Sequence, residues 1–195
     1  MNTAWIENDT LASVKSSTFT AGQTDEIEAQ ILEFILLIRP AQPKDQDAIW
    51  RILEPVIRAG ETYPLPRDMS EAEALAFWMG HDRQTFVVEA DGQLLGTYYL
   101  RANQLGGGAH VANCGYMTAS GATGHGVGRM MCEHSLDIAR RRGFRAMQFN
   151  FVVSTNLWAI ELWQRMGFET VGRVPLAFEH PRYGYVDTLI MHRPL

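Results

Sequence analysis

Three glycines at alternate positions, Gly124, Gly126 and Gly128, lead into an amphipathic run, RMMCEHSLDIARRR, that stops at Gly143. Glycine removes the side chain where a chain turns sharply into a helix, so several amide hydrogens can converge on one anion. The helix start adds unpaired N–H groups and the positive end of the dipole. The same residues also suit a turn that merely brings helix and sheet close, but the alternation fits a phosphate better. Two familiar phosphate loops are excluded. A Walker loop needs Lys and then Ser or Thr after its last glycine, whereas Gly128 is followed by Arg129 and Met130. A Rossmann turn belongs in the first βαβ unit with an acidic residue ending the next strand; this turn lies past mid-chain, and MQFNFVV ends without one.

Hydrophobic periodicity orders the rest of the chain around that turn. EFILLIRPA is a first strand. Pro43 and Asp45 introduce a helix with Ile49, Ile52, Leu53 and Val56 on one face, and Ser70 with Glu73 caps a second helix carrying Ala74, Leu75 and Trp78. A hairpin follows, Thr85 to Ala90 and Leu94 to Arg101 about an Asp91–Gly92 turn. Then come a strand near 110–118, a helix near 126–142, the strand AMQFNFVV, a helix near 156–166, and strands near 168–176 and 184–192. The order β, α, α, β, β, β, α, β, α, β, β predicts an α/β fold. Its central sheet is mixed and largely antiparallel, flanked by helices, with parallel pairing from the late strand-helix-strand part. Residues 1–30 read as a polar N-terminal extension and residues 31–195 as one domain, a length that buries a sizeable core.

Charge and composition narrow the partners. With 17 Lys and Arg against 22 Asp and Glu, a formal net charge of -5 offers no broad attraction for nucleic acid or an anionic membrane. No apolar run reaches the ~20 residues of a membrane span, and the first residues lack a signal peptide's pattern, so a cytoplasmic protein is expected. Cys114 and Cys132 form neither a redox pair nor a zinc module, and the six histidines include no HExxH, so no metal is expected.

Two segments carry a family resemblance. TGHGVG, Thr123 to Gly128, is similar to the coenzyme loop of the GCN5-related N-acetyltransferase (GNAT) family, and NLWAIELWQRMGF, Asn156 to Phe168, resembles its second signature, Asn-x-x-Ala-x-x-Leu-Tyr-x-x-x-Gly-Phe. With the element order, the resemblance covers about residues 34–193 and implies a GNAT-like acyl-CoA acetyltransferase fold that uses acetyl-CoA. It implies that the backbone of Met117, Thr118 and Ala119 bonds the pantetheine arm. Gly124, Gly126, Val127 and Gly128 would surround the pyrophosphate, with Thr123, His125 and Arg129 in the same coenzyme site and Asn156 and Trp163 beside the arm. Two departures matter. Thr123 replaces a long polar side chain, and Trp163 replaces the tyrosine often assigned as general acid. An indole N–H is no transferable proton, so the thiolate leaves without a dedicated acid or takes a proton from Tyr116, Tyr183 or Tyr185.

The implied chemistry is direct attack by a neutral amine on the thioester, with the Met117 amide or a neighbour stabilising the oxyanion. In HVANCGYM, Asn113 and Tyr116 have opposite parity; a bulge, frequent in this family here, would turn both toward one cavity. Asn150 sits near the end of the next strand. Asn113, Tyr116 and Asn150 are therefore the candidate catalytic residues, and with Phe151 they also line the expected acceptor pocket. Each asparagine equally suits a strand-end hydrogen bond. Glu61, Thr62 and Tyr63, after the first helix, offer another substrate wall, and Asp187 either orients the amine or makes a structural bond. Asn113, Tyr116, Asn150 and Phe151 together resemble the fungal branch acting on azetidine-2-carboxylate and related proline analogues. The expected acceptor is a small-molecule amine or imino acid. A peptide or protein N-acetyltransferase and a noncatalytic acyl-CoA sensor are the alternatives, and a homodimer is expected by analogy.

Overall fold

The first helix forms where the apolar spacing requires it. In the computed structural model, which describes residues 10–11, 36–122 and 124–195, a 3-10 turn at Pro43–Asp45 leads into α1, Gln46–Ala59. Ile49, Ile52, Leu53 and Ile57 are buried along one side of it, each such side chain contributing about 1.5–3 kcal/mol of apolar burial. In α2, Glu71–Trp78, the cap is reciprocal: the Glu73 carboxylate accepts the Ser70 N–H at 2.9 Å, and the Glu73 N–H donates to Ser70 Oγ at 3.4 Å. The extension expected at 1–30 lies outside the described residues apart from Thr10–Leu11, as does the start of EFILLIRPA.

Among the described residues eight strands make one sheet: β1 Thr10–Leu11, β2 Leu37–Pro40, β3 Arg83–Ala90, β4 Gln93–Ala102, β5 Val111–Thr118, β6 Ala146–Val153, β7 Glu169–His180 and β8 Gly184–Pro194. Their spatial order is β1-β2-β3-β4-β5-β6-β8-β7, antiparallel throughout except where β5 meets β6. α1 and α2 cover one face, burying Trp78 against Val87, Tyr99 and Met117. On the other face lie α3, Val127–Arg141, and α4, Leu157–Arg165, packed over Tyr98, Leu100, Ala112 and Met147. Gly96 lets α3 approach β4, since a Cβ there would stand 2.8 Å from Val127 Cγ1. Among the described residues no helix is long and apolar enough to cross a membrane, and no three His, Cys, Asp or Glu side chains converge on a metal site.

β7 runs beyond its expected end near residue 176 because it is an edge strand, the place in a sheet that tolerates Pro175 without its N–H. Two register shifts against β8 absorb the irregularity, and the Asp187 carboxylate accepts the Leu176 amide at 2.8 Å where φ is +51°. Asp187 also pairs with Arg173. These contacts tie β8 to β7 through the Asp187 side chain.

The parallel pair positions the site. Only Val111↔Ala146 and Ala112↔Met147 are in register, and beyond them β5 and β6 separate. β6 carries one extra residue against β8, between Phe149 and Val152. Such a bulge bends its strand and increases the local twist, here at Asn150 and Phe151.

Candidate active site

Separating two strands strips their backbone groups of ladder partners, and each must be satisfied otherwise or left for a ligand. Tyr63, from the loop after α1, sends its hydroxyl into the gap, accepting the Tyr116 N–H at 2.8 Å and donating to the Tyr116 carbonyl at 2.9 Å. Those two groups therefore point away from β4. Alternation along an antiparallel strand turns the polar groups of Met117 and Ala119 toward β4 instead, and the Ala119 N–H does bond the Leu95 carbonyl at 2.9 Å. The expectation that Met117 and Ala119 offer their amides to a pantetheine arm is thereby corrected. The edge facing the gap beyond Tyr116 belongs to Thr118.

A cavity of about 450 Å3 follows the gap, walled by β5, β6, α4 and the loop after α1. Asn113, Asn150, Phe151, Thr62 and Tyr63 all line it. An amide chain runs along one side. Asn113 Nδ2 donates to the Gln148 carbonyl at 2.8 Å, Gln148 Nε2 to Asn150 Oδ1 at 2.8 Å, and Asn150 Nδ2 to Asn103 Oδ1 at 2.5 Å. Asn113 is buried, and none of the described residues donates to its Oδ1, which remains free to accept. Phe151 packs edge-on to Phe178 at 6.0 Å.

Tyr116 departs from expectation. The β4–β5 register runs unbroken from Gly96↔Thr118 to Ala102↔Ala112, so no bulge turns its side chain toward Asn113; the bulge lies in β6. Its ring borders the cavity 5.0 Å from Trp163, but its hydroxyl reaches the α3 face, 2.8 Å from Ser135 Oγ. Ser135 spends its own proton on the Cys132 carbonyl at 2.8 Å, so Tyr116 is the donor to Ser135. Burial pushes the Tyr116 phenol well above its ordinary range, which removes it as a ready acid. Burial likewise raises the Cys114 thiol far above a thiolate-forming range, and the cavity offers no cysteine nucleophile.

Glu61 is a second correction. Its carboxylate meets Arg182 at 2.9 Å across the fold and stands apart from the cavity wall, while its neighbours Thr62 and Tyr63 reach it. Tyr183 and Tyr185 are exposed. Trp163 is 8% exposed and stacks among Tyr116, Phe149 and Phe168, so it walls the cavity as packing. Asn156 caps α4, its Oδ1 accepting the Ala159 N–H at 3.3 Å, and it also borders the cavity.

The glycine turn is built as its residues require. Gly124 and Gly126 adopt φ of +86° and +78°, and Gly126 is the left-handed N-cap of α3 with no side-chain cap. The first helical bond runs from Met130 N–H to the Gly126 carbonyl at 3.0 Å, leaving the N–H groups of Val127, Gly128 and Arg129 ahead of the ladder. No acidic residue occupies the first turn. A Cβ at Gly124 or Gly126 would meet no atom within 4 Å, so open space stands over that turn. Gly128 has the packing role instead, with Leu162 Cδ2 3.4 Å from a Cβ placed there, and Val127 is buried. The Arg129 side chain lies along the helix against Glu133 at 2.8 Å, and His125 is exposed with its N–H 3.4 Å from the Ala122 carbonyl. Thr123 lies outside the described residues.

Arg101 and Tyr99 also line the cavity and were not singled out in the sequence. Arg101 stands directly across from Asn113 in the β4–β5 register. The long connection at 103–110 leaves that register open until the chain is folded; the signal within reach was a cation ending the strand next to the one that carries Asn113.

The Acetyltransferase (GNAT) family model matches residues 48–168. The N-acetyltransferase aca1 of Schizosaccharomyces pombe is 30% identical over 151 residues, 69% of this chain and 72% of that protein. Among solved structures, a GCN5-related N-acetyltransferase from Kribbella flavida is 44% identical, with a TM-score of 0.79 over 82% of this chain and 98% of its own. A phosphinothricin acetyltransferase from Sinorhizobium meliloti, solved in complex with AcCoA, shares the fold at 22% identity and a TM-score of 0.72, covering 82% of this chain and 88% of its own.

Proposed function

The chain belongs to the GNAT acetyltransferase family, and on that premise we propose that it moves the acetyl group of acetyl-CoA to the amine of a small amino acid or cyclic imino acid, by direct attack in a ternary complex. The acceptor assignment rests on one observation: the amides of Asn113 and Asn150 and the ring of Phe151 line a single cavity of about 450 Å3, a size suited to compact ligands.

When bound, acetyl-CoA supplies an activated carbonyl and a thiolate leaving group. The chain's own residues fit it. The uncapped start of α3, beneath the open space over Gly124 and Gly126, would hold the pyrophosphate with the N–H groups of Val127, Gly128 and Arg129. The edge of Thr118 would serve the pantetheine arm, with Asn156 and Trp163 beside it. Asn113 Oδ1 accepts an N–H of the acceptor and aims the nitrogen's lone pair at the carbonyl carbon. Attack at the carbonyl would form the C–N bond, and expulsion of the thiolate, which would carry away the C–S electron pair, would complete the transfer. Among the described residues no carboxylate or imidazole lines the cavity, and the amine's proton passes to solvent.

Mixing the protein with acetyl-CoA and azetidine-2-carboxylate, proline analogues, linear amino acids or short peptides, and following free-thiol release, tests this function. The expected order places the cyclic imino acids first. Preference for peptides would reverse the acceptor assignment, and coenzyme binding without thiol release would make the chain a sensor. Trp163→Phe is expected to keep kcat within about threefold, because neither ring supplies an acid proton and the packing change is small. A collapse of kcat at saturating substrates, with fold and acetyl-CoA affinity intact, would give the indole a chemical part.

A further inference from the structure

Among the described residues, Arg101 is the one formally charged side chain in the cavity wall. It closes β4 opposite Asn113, and cross-strand partners on one face bring their side chains together. Its surroundings do not neutralise it. Among the described residues Asp82 is the carboxylate paired with it, and it is shared: Oδ1 lies 2.8 Å from Arg83 Nε, while Oδ2 lies 3.1 Å from Arg83 Nη2 and 3.2 Å from Arg101 Nη1. The hydrogen bonds from Arg83 hold the Asp82 carboxyl down to about 2, so it is an anion throughout the working range, and the two guanidiniums with one carboxylate leave a net positive charge. Arg83 is fixed between aromatic rings, its Cζ 4.9 Å from Phe77 and 4.8 Å from Tyr99, both of which border the same cavity.

Two buried donors of this group have no hydrogen-bond partner, Arg101 Nε and Arg83 Nη1. Buried donors are nearly always paired, and those of guanidinium are the most costly to leave bare. The Asp82 contact uses Arg101 Nη1, which leaves Nη2 and the charge of the guanidinium for an incoming carboxylate. The chain as a whole is acidic, with a net charge of -5, so this cation is local to the cavity.

We propose that Arg101 is the carboxylate anchor of the acceptor site, receiving the α-carboxylate of an amino or imino acid whose nitrogen is held at Asn113. The assignment rests on the acceptor class given above and makes it specific: a free carboxylate beside the amine is required, which rejects amines lacking one and the interior of a peptide. Asp82 and Arg83 are positioning residues that hold the guanidinium in its rotamer.

The test is the ratio of kcat/KM for azetidine-2-carboxylate over azetidine-2-carboxamide at saturating acetyl-CoA, measured for wild type, R101M and R101K with thermal unfolding recorded for each. The ratio cancels any general loss of folded enzyme. It should fall about 30-fold in R101M, the worth of one charge-assisted hydrogen bond, and by an intermediate factor in R101K, which keeps the charge without the planar geometry. Should R101M fail to fold, R101K alone carries the comparison. A ratio that stays at the wild-type value in the folded variants overturns the anchor while leaving the acceptor class standing. Wild-type enzyme that acetylates only peptides or amines without a carboxylate overturns the acceptor class and the anchor together.

Discussion

Replacing Gly126 with valine is expected to raise the dissociation constant for acetyl-CoA about 100-fold, the worth of about one strong charge-assisted hydrogen bond to phosphate. The left-handed φ of +78° at the N-cap aims the first free amides of α3 at one point, and the side chain would enter the space now empty for 4 Å around a Cβ. A β-branched residue resists that conformation, at a cost of about 1–2 kcal/mol, so the variant should fold with a lowered Tm. Gly143 provides a matched control at the other end of the same helix, with φ of +82° and nothing within 4 Å of a Cβ. G143V should lose similar stability and keep the wild-type affinity. Calorimetric titration of both folded variants separates strain from obstruction: equal affinity in the two would take the phosphate away from this turn.

Asn113→Ala is expected to lower kcat/KM for the best cyclic imino acid by about 100-fold at saturating acetyl-CoA, an amount set by losing an oriented contact at the reacting nitrogen. Acetyl-CoA affinity should stay within about twofold, since the contact serves the acceptor alone. The side chain also ties β5 to the Gln148 carbonyl one step beyond the last parallel pair, so stability should drop by about 1 kcal/mol. Asn150→Ala distinguishes the two effects. Its amide is exposed, and its removal should cost little stability and about tenfold in kcat/KM, the upper range for one neutral hydrogen bond. Wild-type kcat/KM in both folded variants would empty the amide wall of its role.

The parts of the site that sequence makes legible are those decided within a few residues. Gly124 and Gly126 take positive φ, Ser70 and Glu73 cap each other, and Asn156 accepts a first-turn amide, all through near neighbours. The fold class follows from periodicity in the same way: α1 buries Ile49, Ile52 and Leu53 as their spacing marks, although Ile57 and not Val56 completes that buried face. The corrections arise where distant segments meet. A β5 bulge was a reasonable device for joining Asn113 to Tyr116, yet the extra residue sits in β6, against β8, and its effect on β5 is exerted through space. Glu61 turns from the cavity because Arg182 waits at the β7–β8 turn.

Residue type and spacing alone decide what each group is able to do: glycine frees an amide, asparagine both donates and accepts, an indole yields no acid proton, and -5 of net charge leaves polyanions unattracted. Which groups work together is decided only by the folded chain. Strand register sets Arg101 opposite Asn113, a shared Asp82 leaves that arginine under-neutralised, and a tyrosine 53 positions away claims both edge groups of Tyr116. The reason is physical. Local conformation depends on neighbours along the chain, whereas a cavity's charge and its unpaired donors depend on burial and on partners from β3, β4 and the loop after α1, which only tertiary packing brings within hydrogen-bonding distance.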